Sequence, residues 1–467
     1  MGVCIDAVPG WTADALATLD LGDRRLNARA KFMVRDMIGR PEASIPKASG
    51  CWAATQGAYR FLSNPSVEPA ALRGALADAC LGRVRQEPAV LVVHDTTSLD
   101  FTSHPAMDDL GPLGGGDGDA ARGLLVHSAI AVSREGVPLG LLHQKDWARD
   151  PAKMGSRHAR KQLPLEDKES FKWLETLRAA EALLPPDTAA IHVADREADI
   201  FEFIAEPRRE NSFVLVRASH QRRIEQEAEH LLTAIAQAPR AGEFTVTLRR
   251  GNEQRPPRPV RIAVSYCQVT LRPPSHGIHD PGLQPKSVTA ILAQELDAPN
   301  KQVAVSWLLL TDMPVDSFDQ ARECVRLYTL RWLIERYHYA LKSGCQIEDA
   351  QLQSADGLRR LLALYCIVAL RLLWITYSAR EHGEEPCTVA FSEPEWQTLH
   401  RYFESQQPLP ETPPTLYQAV RWTARLGGFL NRKGDGEPGI KALWHGLTRL
   451  QDIVLGVMLA RGDVCKG

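Results

Sequence analysis

Two apolar runs in this chain each lead directly into an aspartate, and no other feature constrains the fold as strongly. Val90-Leu91-Val92-Val93-His94 precedes Asp95, and Ile191-His192-Val193-Ala194 precedes Asp195. Short runs rich in β-branched and apolar residues read as buried strands. A strand holds its side chains rigidly, as a metal site requires. Either aspartate alone is better explained as a cap or a turn residue. Two of them on strands of one core form a pattern that suits Mg²⁺ or Mn²⁺, which prefer carboxylate and water oxygens to imidazole or thiolate.

The elements between and around these runs set an order. LLVHSAIAVS and VPLGLLHQKDW, joined by the turn REG, read as a hairpin. KESFKWLETLRAAEALLP is an amphipathic helix, FEFIAEPRR a short helix and SFVLVRAS a further buried strand. Strand, hairpin, helix, strand, helix, strand predicts an α/β fold: a ribonuclease-H-like mixed sheet with helices on its faces. Residues 220–312 differ. FTVTLRR, RIAVSYCQVTLR, SVTAILAQEL and AVSWLLLTDMPV read as strands between Pro- and Gly-rich turns, so we expect a β-rich insertion there. The flanks are helical. We therefore expect three parts: a helical N-terminal domain at 1–66, a catalytic domain at 67–372 with its insertion, and a helical domain at 373–467. Beyond about residue 380 we expect a Pro-rich linker, QPLPETPPT, and two helices.

A third acid comes from the segment YTLRWLIERYHYALK. Tyr328, Arg331, Glu335 and Lys342 follow one another at offsets of three, four and seven residues. On one continuous helix at roughly 100° per residue they fall within about 60° of arc. Leu327, Leu330, Ile334, Tyr337 and Leu341 form a separate apolar face. The bland alternative is an ion-paired surface helix. The chemical reading is that Glu335 completes a carboxylate trio for two divalent ions, while Tyr328, Arg331 and Lys342 hold backbone phosphates. Catalysis would then be positioning and charge stabilisation.

These elements resemble the DDE transposases of the insertion-sequence-four family. The likeness rests on HDTTSLD, VADREADI and the Tyr-Arg-Glu-Lys set, and on LGDRR, QGAYRFLSNPSV, ARGLLVHSAI, FVLVRASH, SWLLLTDMPV, ARLGGF and ALWHGL in the same order. The resemblance implies cut-and-paste transposition of DNA with Asp95, Asp195 and Glu335 as catalytic and metal-binding residues and Mg²⁺ (or Mn²⁺) as cofactor. It implies that Trp307 stacks on a flipped base during hairpin formation and that Arg217 contacts the transposon end. The basic N-terminal segment, with Arg24, Arg25 and Arg29, would bind the terminal repeat, and the C-terminal helices would pair two protomers. The partners implied are double-stranded DNA, as inverted terminal repeats and target, and a second copy of the chain, in a bacterial cytoplasm at the nucleoid. Tyr339, Ser219, Leu124 and Leu125 depart from the family pattern and point to a different terminal sequence. Two rival functions stay open: a metal-dependent nuclease or resolvase without strand transfer, and a decayed protein that only binds DNA.

Composition narrows the field less. The net charge of −2 and pI near 6.7 do not mark a nucleic-acid binder. Phosphate contacts act only within a Debye length of roughly 8–10 Å, so local basic surface is enough. Nine scattered cysteines without a CxxC pair predict free thiols in a reducing compartment. No secretory signal, myristoylation pattern or run of eighteen apolar residues is apparent, so we expect no membrane association. The loop GPLGGGDGD lacks the P-loop lysine, which argues against nucleotide binding. His94, His127 and His143 lack zinc-ligand spacing and read as buried neutral imidazoles, or as one imidazole near the metals, rather than as zinc ligands.

Overall fold

The structure, a computed structural model, describes residues 10–104, 107–114, 121–151, 163–248, 258–274, 282–297 and 304–462. The chain divides into two compact units. One takes its residues from Met1–Gln86, Thr96–Met154 and Leu333–Gly467, the other from Glu87–Asp95 and Gly155–Trp332. The mixed α/β character and the helices at both ends of the chain agree with the sequence expectation.

The first unit opens with helices α1 (Gly10–Ala15), α2 (Arg24–Gly39), α3 (Ile45–Ser49), α4 (Trp52–Leu62) and α5 (Pro69–Val84). Asp23 caps α2 by accepting the Arg25 N–H at 2.6 Å, satisfying one of the orphan donors of a helix start. Gly50 ends α3 at φ 69, a conformation glycine adopts without a Cβ penalty. Strand β1 (Ala89–Asp100) follows, passing from the second unit into the first at Asp95 and Thr96. Short β2 (Gly111–Pro112) pairs with β3 (Arg122–Ser133), which forms the expected antiparallel hairpin with β4 (Pro138–Trp147). Residues 115–120 of the Gly-rich loop and residues 152–162 of the following polar segment lie outside the described residues.

The second unit contains α6 (Phe171–Leu183), β5 (Ala189–Ala194), α7 (Phe201–Ala205), β6 (Ser212–Arg217), α8 (Leu231–Gln237), β7 (Arg240–Leu248), β8 (Arg258–Leu271), β9 (Lys286–Glu295), β10 (Ser306–Thr311) and α9 (Phe318–Thr329). β1, β5 and β6 run parallel to their neighbours. β10 then pairs antiparallel with β6, and β9, β8 and β7 continue the antiparallel ladder. The β-rich stretch is therefore not a separate sheet. Leu310 sits opposite Val216 in the ladder, and both lie in one apolar cluster with Trp173 of α6, Phe201 and Phe203 of α7, Ile235 of α8 and Val269 of β8. The alternation of residues 220–312 foretold strands but not their pairing, because pairing is a long-range choice. Helix α8 was not anticipated.

The first unit resumes with α10 (Trp332–Tyr339), a π-helical turn at Ala340–Gly344, and α11 (Ala355–Glu381). By length and composition α11 could cross a membrane, although Arg359, Arg360 and Arg371 interrupt its apolar run. In the fold 94% of its most apolar stretch is buried. Its buried charges are occupied: Arg360 donates to Val67 O and Leu62 O, and Arg371 to Ala390 O. Three helices follow, not the two expected: α12 (Glu393–Phe403), α13 (Leu416–Leu426) and α14 (Ile440–Arg461). The Pro-rich segment separates the first two. Ser392 and Thr415 each close a capping box, with Glu395 and Gln418.

Candidate active site

Asp95 and Asp195 come from neighbouring parallel strands. The register runs Ala89 against Ala189 to Val93 against Val193. Asp95 follows two residues after the last of these pairs, still within β1, and Asp195 comes directly after the last residue of β5. Both aspartates are half-buried, after strands whose preceding residues are fully buried. Asp195 is extended (φ −83, ψ −170) and caps the 3₁₀ turn Arg196–Ala198 by accepting the Glu197 N–H at 2.8 Å. The cap role proposed as the bland reading of a lone aspartate is thus real, and it aims the carboxylate.

Basic and aromatic side chains of the same unit surround this pair. The Arg331 guanidinium lies 3.7 Å from the Asp95 carboxylate. Tyr328 is 5% exposed and packs edge-on against Trp307, with ring centroids 5.7 Å apart. Burial pushes the Tyr328 phenol up, and Asp195 adds to this, while Arg331 and Arg217 pull it down. Arg217 closes β6, half-buried, with one guanidinium nitrogen 3.4 Å from Ser306 O. Asp95, Asp195, Arg217, Trp307, Tyr328 and Arg331 all belong to the second unit.

Two buried polar assemblies support these positions, and neither was read from the sequence. Behind the strands, His94 Nε2 meets His192 Nδ1 at 2.9 Å, and His192 Nε2 meets Glu181 Oε1 at 2.8 Å. Burial of Glu181 works to raise its pKa, but His192, Arg209 and Ser212 outweigh it and hold the carboxyl at about 2. Burial lowers the pKa of His192 against the opposing pull of Glu181. A neutral His192 therefore donates Nε2–H to Glu181 and accepts the His94 Nε2–H at Nδ1. His94 is fully buried, as expected. The second assembly is built on Asp199, which is 2% exposed. It accepts the backbone N–H groups of Ser219 at 2.7 Å and His220 at 2.9 Å, and pairs with Arg222 at 2.5 Å. One carboxylate thus ties the turn after Asp195 to the loop after Arg217. A signal existed in the sequence, since the second aspartate of DREAD follows the first by four residues.

The segment with the third acid is not the single helix expected. The Leu330 and Arg331 N–H groups bond three residues back, to Leu327 O and Tyr328 O. This tightening ends α9 at Thr329, and α10 begins at Trp332. The arithmetic that placed four side chains on one stripe assumed unbroken α-helix and so fails: Tyr328 is buried on α9, Arg331 lies in the turn, Glu335 is exposed on α10, and Lys342 sits in the π-helical turn. Glu335 and Lys342 belong to the first unit. Lys342 pairs there with Glu348 at 3.1 Å. Arg24 and Arg25 are exposed at the start of α2, whereas Arg29 lies against α4. At Gly57 of α4 a Cβ would stand 2.6 Å from the Arg29 guanidinium carbon, so the missing side chain makes room for it.

The donor set offers a partial fit to a divalent cation. A carboxylate on β1 and another directly after its parallel neighbour β5 supply oxygen ligands of the kind Mg²⁺ takes. Among the described residues no three His, Cys, Asp or Glu side chains gather as a metal-binding group. The two aspartates can thus anchor an ion, and the remaining positions would fall to water and phosphate oxygens.

Residues 9–67 match the transposase DNA-binding family. That match covers the helical N-terminal segment and supports a DNA transposase. The other match is narrower: residues 367–467 match the dimerisation domain of the Tn5 transposase. Together they support a Tn5-like transposase with DNA and a second copy of the chain as partners.

Proposed function

We propose that this protein is a DDE transposase of the insertion-sequence-four family that cuts and pastes DNA. The observation that carries the reading is that the paired strands β1 and β5 lead to Asp95 and Asp195, with Arg331 3.7 Å from Asp95 and Tyr328 within electrostatic reach of Asp195, in a chain whose two ends match transposase domains. On this reading the sheet β1-β5-β6 with α6 and α7 is a ribonuclease-H-like core. Asp95 and Asp195, with Glu335 as the third acid of the family pattern, would hold Mg²⁺, which when bound would lower the barrier to attack of water or a 3′-hydroxyl on phosphorus.

The chain's own side chains do the positioning. Arg331 and Lys342 fix backbone phosphates, and the Tyr328 ring supports Trp307, which stacks on an unpaired base. Arg24 and Arg25 bind the terminal repeat, and Arg217 binds the end near the scissile bond. Water frees a 3′-hydroxyl at each end, that hydroxyl closes a hairpin on the opposite strand, and a second water reopens it. The freed 3′-ends then join target DNA. The dimerisation domain pairs two protomers, so that both ends are held together before cutting.

The test uses duplexes carrying the chain's own genomic flanks, a supercoiled target and Mg²⁺. Joined products with wild type, and none with Asp195→Asn, are expected. Cleavage without joining would make the protein a nuclease, and binding without cleavage a DNA-binding protein only.

A further inference from the structure

We propose that Glu348 is the resident counter-ion of Lys342, a positioning residue that fixes the ammonium and competes with the DNA phosphate the lysine receives. The proposal rests on the reading above that Lys342 contacts a backbone phosphate. Glu348 Oε1 lies 3.1 Å from the Lys342 ammonium and accepts the Asp100 backbone N–H at 2.8 Å. The carboxylate is therefore held by the main chain and is not a swinging surface group.

The backbone between the two residues is shaped for this contact. The π-helical turn Ala340–Gly344 carries Lys342, Gln346 follows at φ 51, and the 3₁₀ turn Ile347–Asp349 carries Glu348. π-helical turns and left-handed non-glycine residues are uncommon and gather at functional sites. Here they bring residue 348 back onto residue 342.

The pair is half-open, with the lysine side chain 31% and the glutamate side chain 27% exposed. An ammonium has three donors, so Lys342 can meet a phosphate without leaving Glu348. The charge is a different matter. Asp100, held below the usual carboxylate range by its bonds from Thr102 and further by Lys342, adds a second negative group. A phosphate arriving at Lys342 meets both acids within a Debye length, roughly 8–10 Å, so part of the attraction is cancelled. The lysine is placed by Glu348 and partly neutralised by it.

Glu348→Gln separates the two effects, because the amide oxygen can still accept from Asp100 and Lys342 while the charge is gone. Glu348→Ala removes both. Full-length protein is titrated onto a fluorescein-labelled duplex of mixed sequence across a KCl series. Glu348→Gln is expected to bind roughly 3- to 5-fold tighter at low salt. Its log affinity against log salt should steepen by up to about 1. Glu348→Ala should gain less, because the lysine loses its anchor. In a Lys342→Ala background the Gln substitution should gain nothing. Unchanged binding by Glu348→Gln, or a gain that persists without Lys342, overturns the proposal. If Lys342→Ala alone leaves affinity and salt slope intact, the phosphate role of Lys342 falls and this assignment with it. If Lys342→Ala weakens binding but Glu348→Gln is neutral, only the assignment to Glu348 falls.

Discussion

At the scale of single residues, burial decides what each ionisable group can do. Asp195 is half-buried and caps a turn with one oxygen, so Asp195→Asn keeps an acceptor for the Glu197 N–H. Strand transfer should fall by roughly 10²–10³-fold or more while the fold holds. Gel assays in Mg²⁺ beside a melting curve check both halves of that expectation. Asp199 behaves differently because its charge is enclosed with Arg222. Asp199→Ala strands a buried guanidinium and should cost about 3–5 kcal/mol in urea unfolding. Asp199→Ala with Arg222→Ala together should recover part of that loss, and full additivity would mean the two groups do not interact. The sequence displayed both aspartates of DREAD equally. Their division into an aiming cap and a buried clamp depends on which strand ends come to lie beside them.

At the scale of elements, the close approach of helices sets the tolerances. Gly446 of α14 faces α13 so tightly that a Cβ would stand 1.8 Å from Thr423 O. The obstacle is backbone, which cannot swing aside. Gly446→Ala should therefore destabilise the protein by about 1–3 kcal/mol, seen as an earlier urea midpoint for the chain. Helix α9 teaches a related lesson. Hydrophobic spacing located the helical segment around residues 318–342 correctly, but a periodic pattern is blind to two i→i−3 bonds at Leu330 and Arg331. Those bonds move Tyr328 into the core beside Trp307 and put Arg331 against Asp95.

At the scale of the whole molecule, the buried chain His94–His192–Glu181 makes stability pH-dependent in one direction. His192 has its pKa lowered in the fold, so the unfolded chain takes up the proton first as pH falls through the ordinary value of 6.5. Its contribution is full above that pH and is lost below it. Glu181, held at about 2 against an ordinary 4.5, contributes above pH 4.5 and loses its contribution between 4.5 and 2. Both signs agree, and the melting temperature should fall steadily on acidification from pH 7. His192→Gln should flatten the upper part of that curve, and an unchanged slope would remove His192 as its cause. The charge of the whole chain carries a separate message. The −2 total gave no sign of DNA binding, yet Arg24 and Arg25 stand exposed within the segment that matches a DNA-binding family.

The sequence by itself determined most of the segments that become strands and helices, because apolar periodicity and capping residues act locally. It also placed Asp95 within one such strand and Asp195 directly after another. Only the tertiary structure decided that residues 220–312 extend the sheet through β10 against β6, that α11 is a buried core helix, and that Asp199 and Glu348 meet their partners. Those outcomes depend on contacts between residues far apart in the chain or on local breaks in helical geometry, and neither leaves a periodic trace in the sequence.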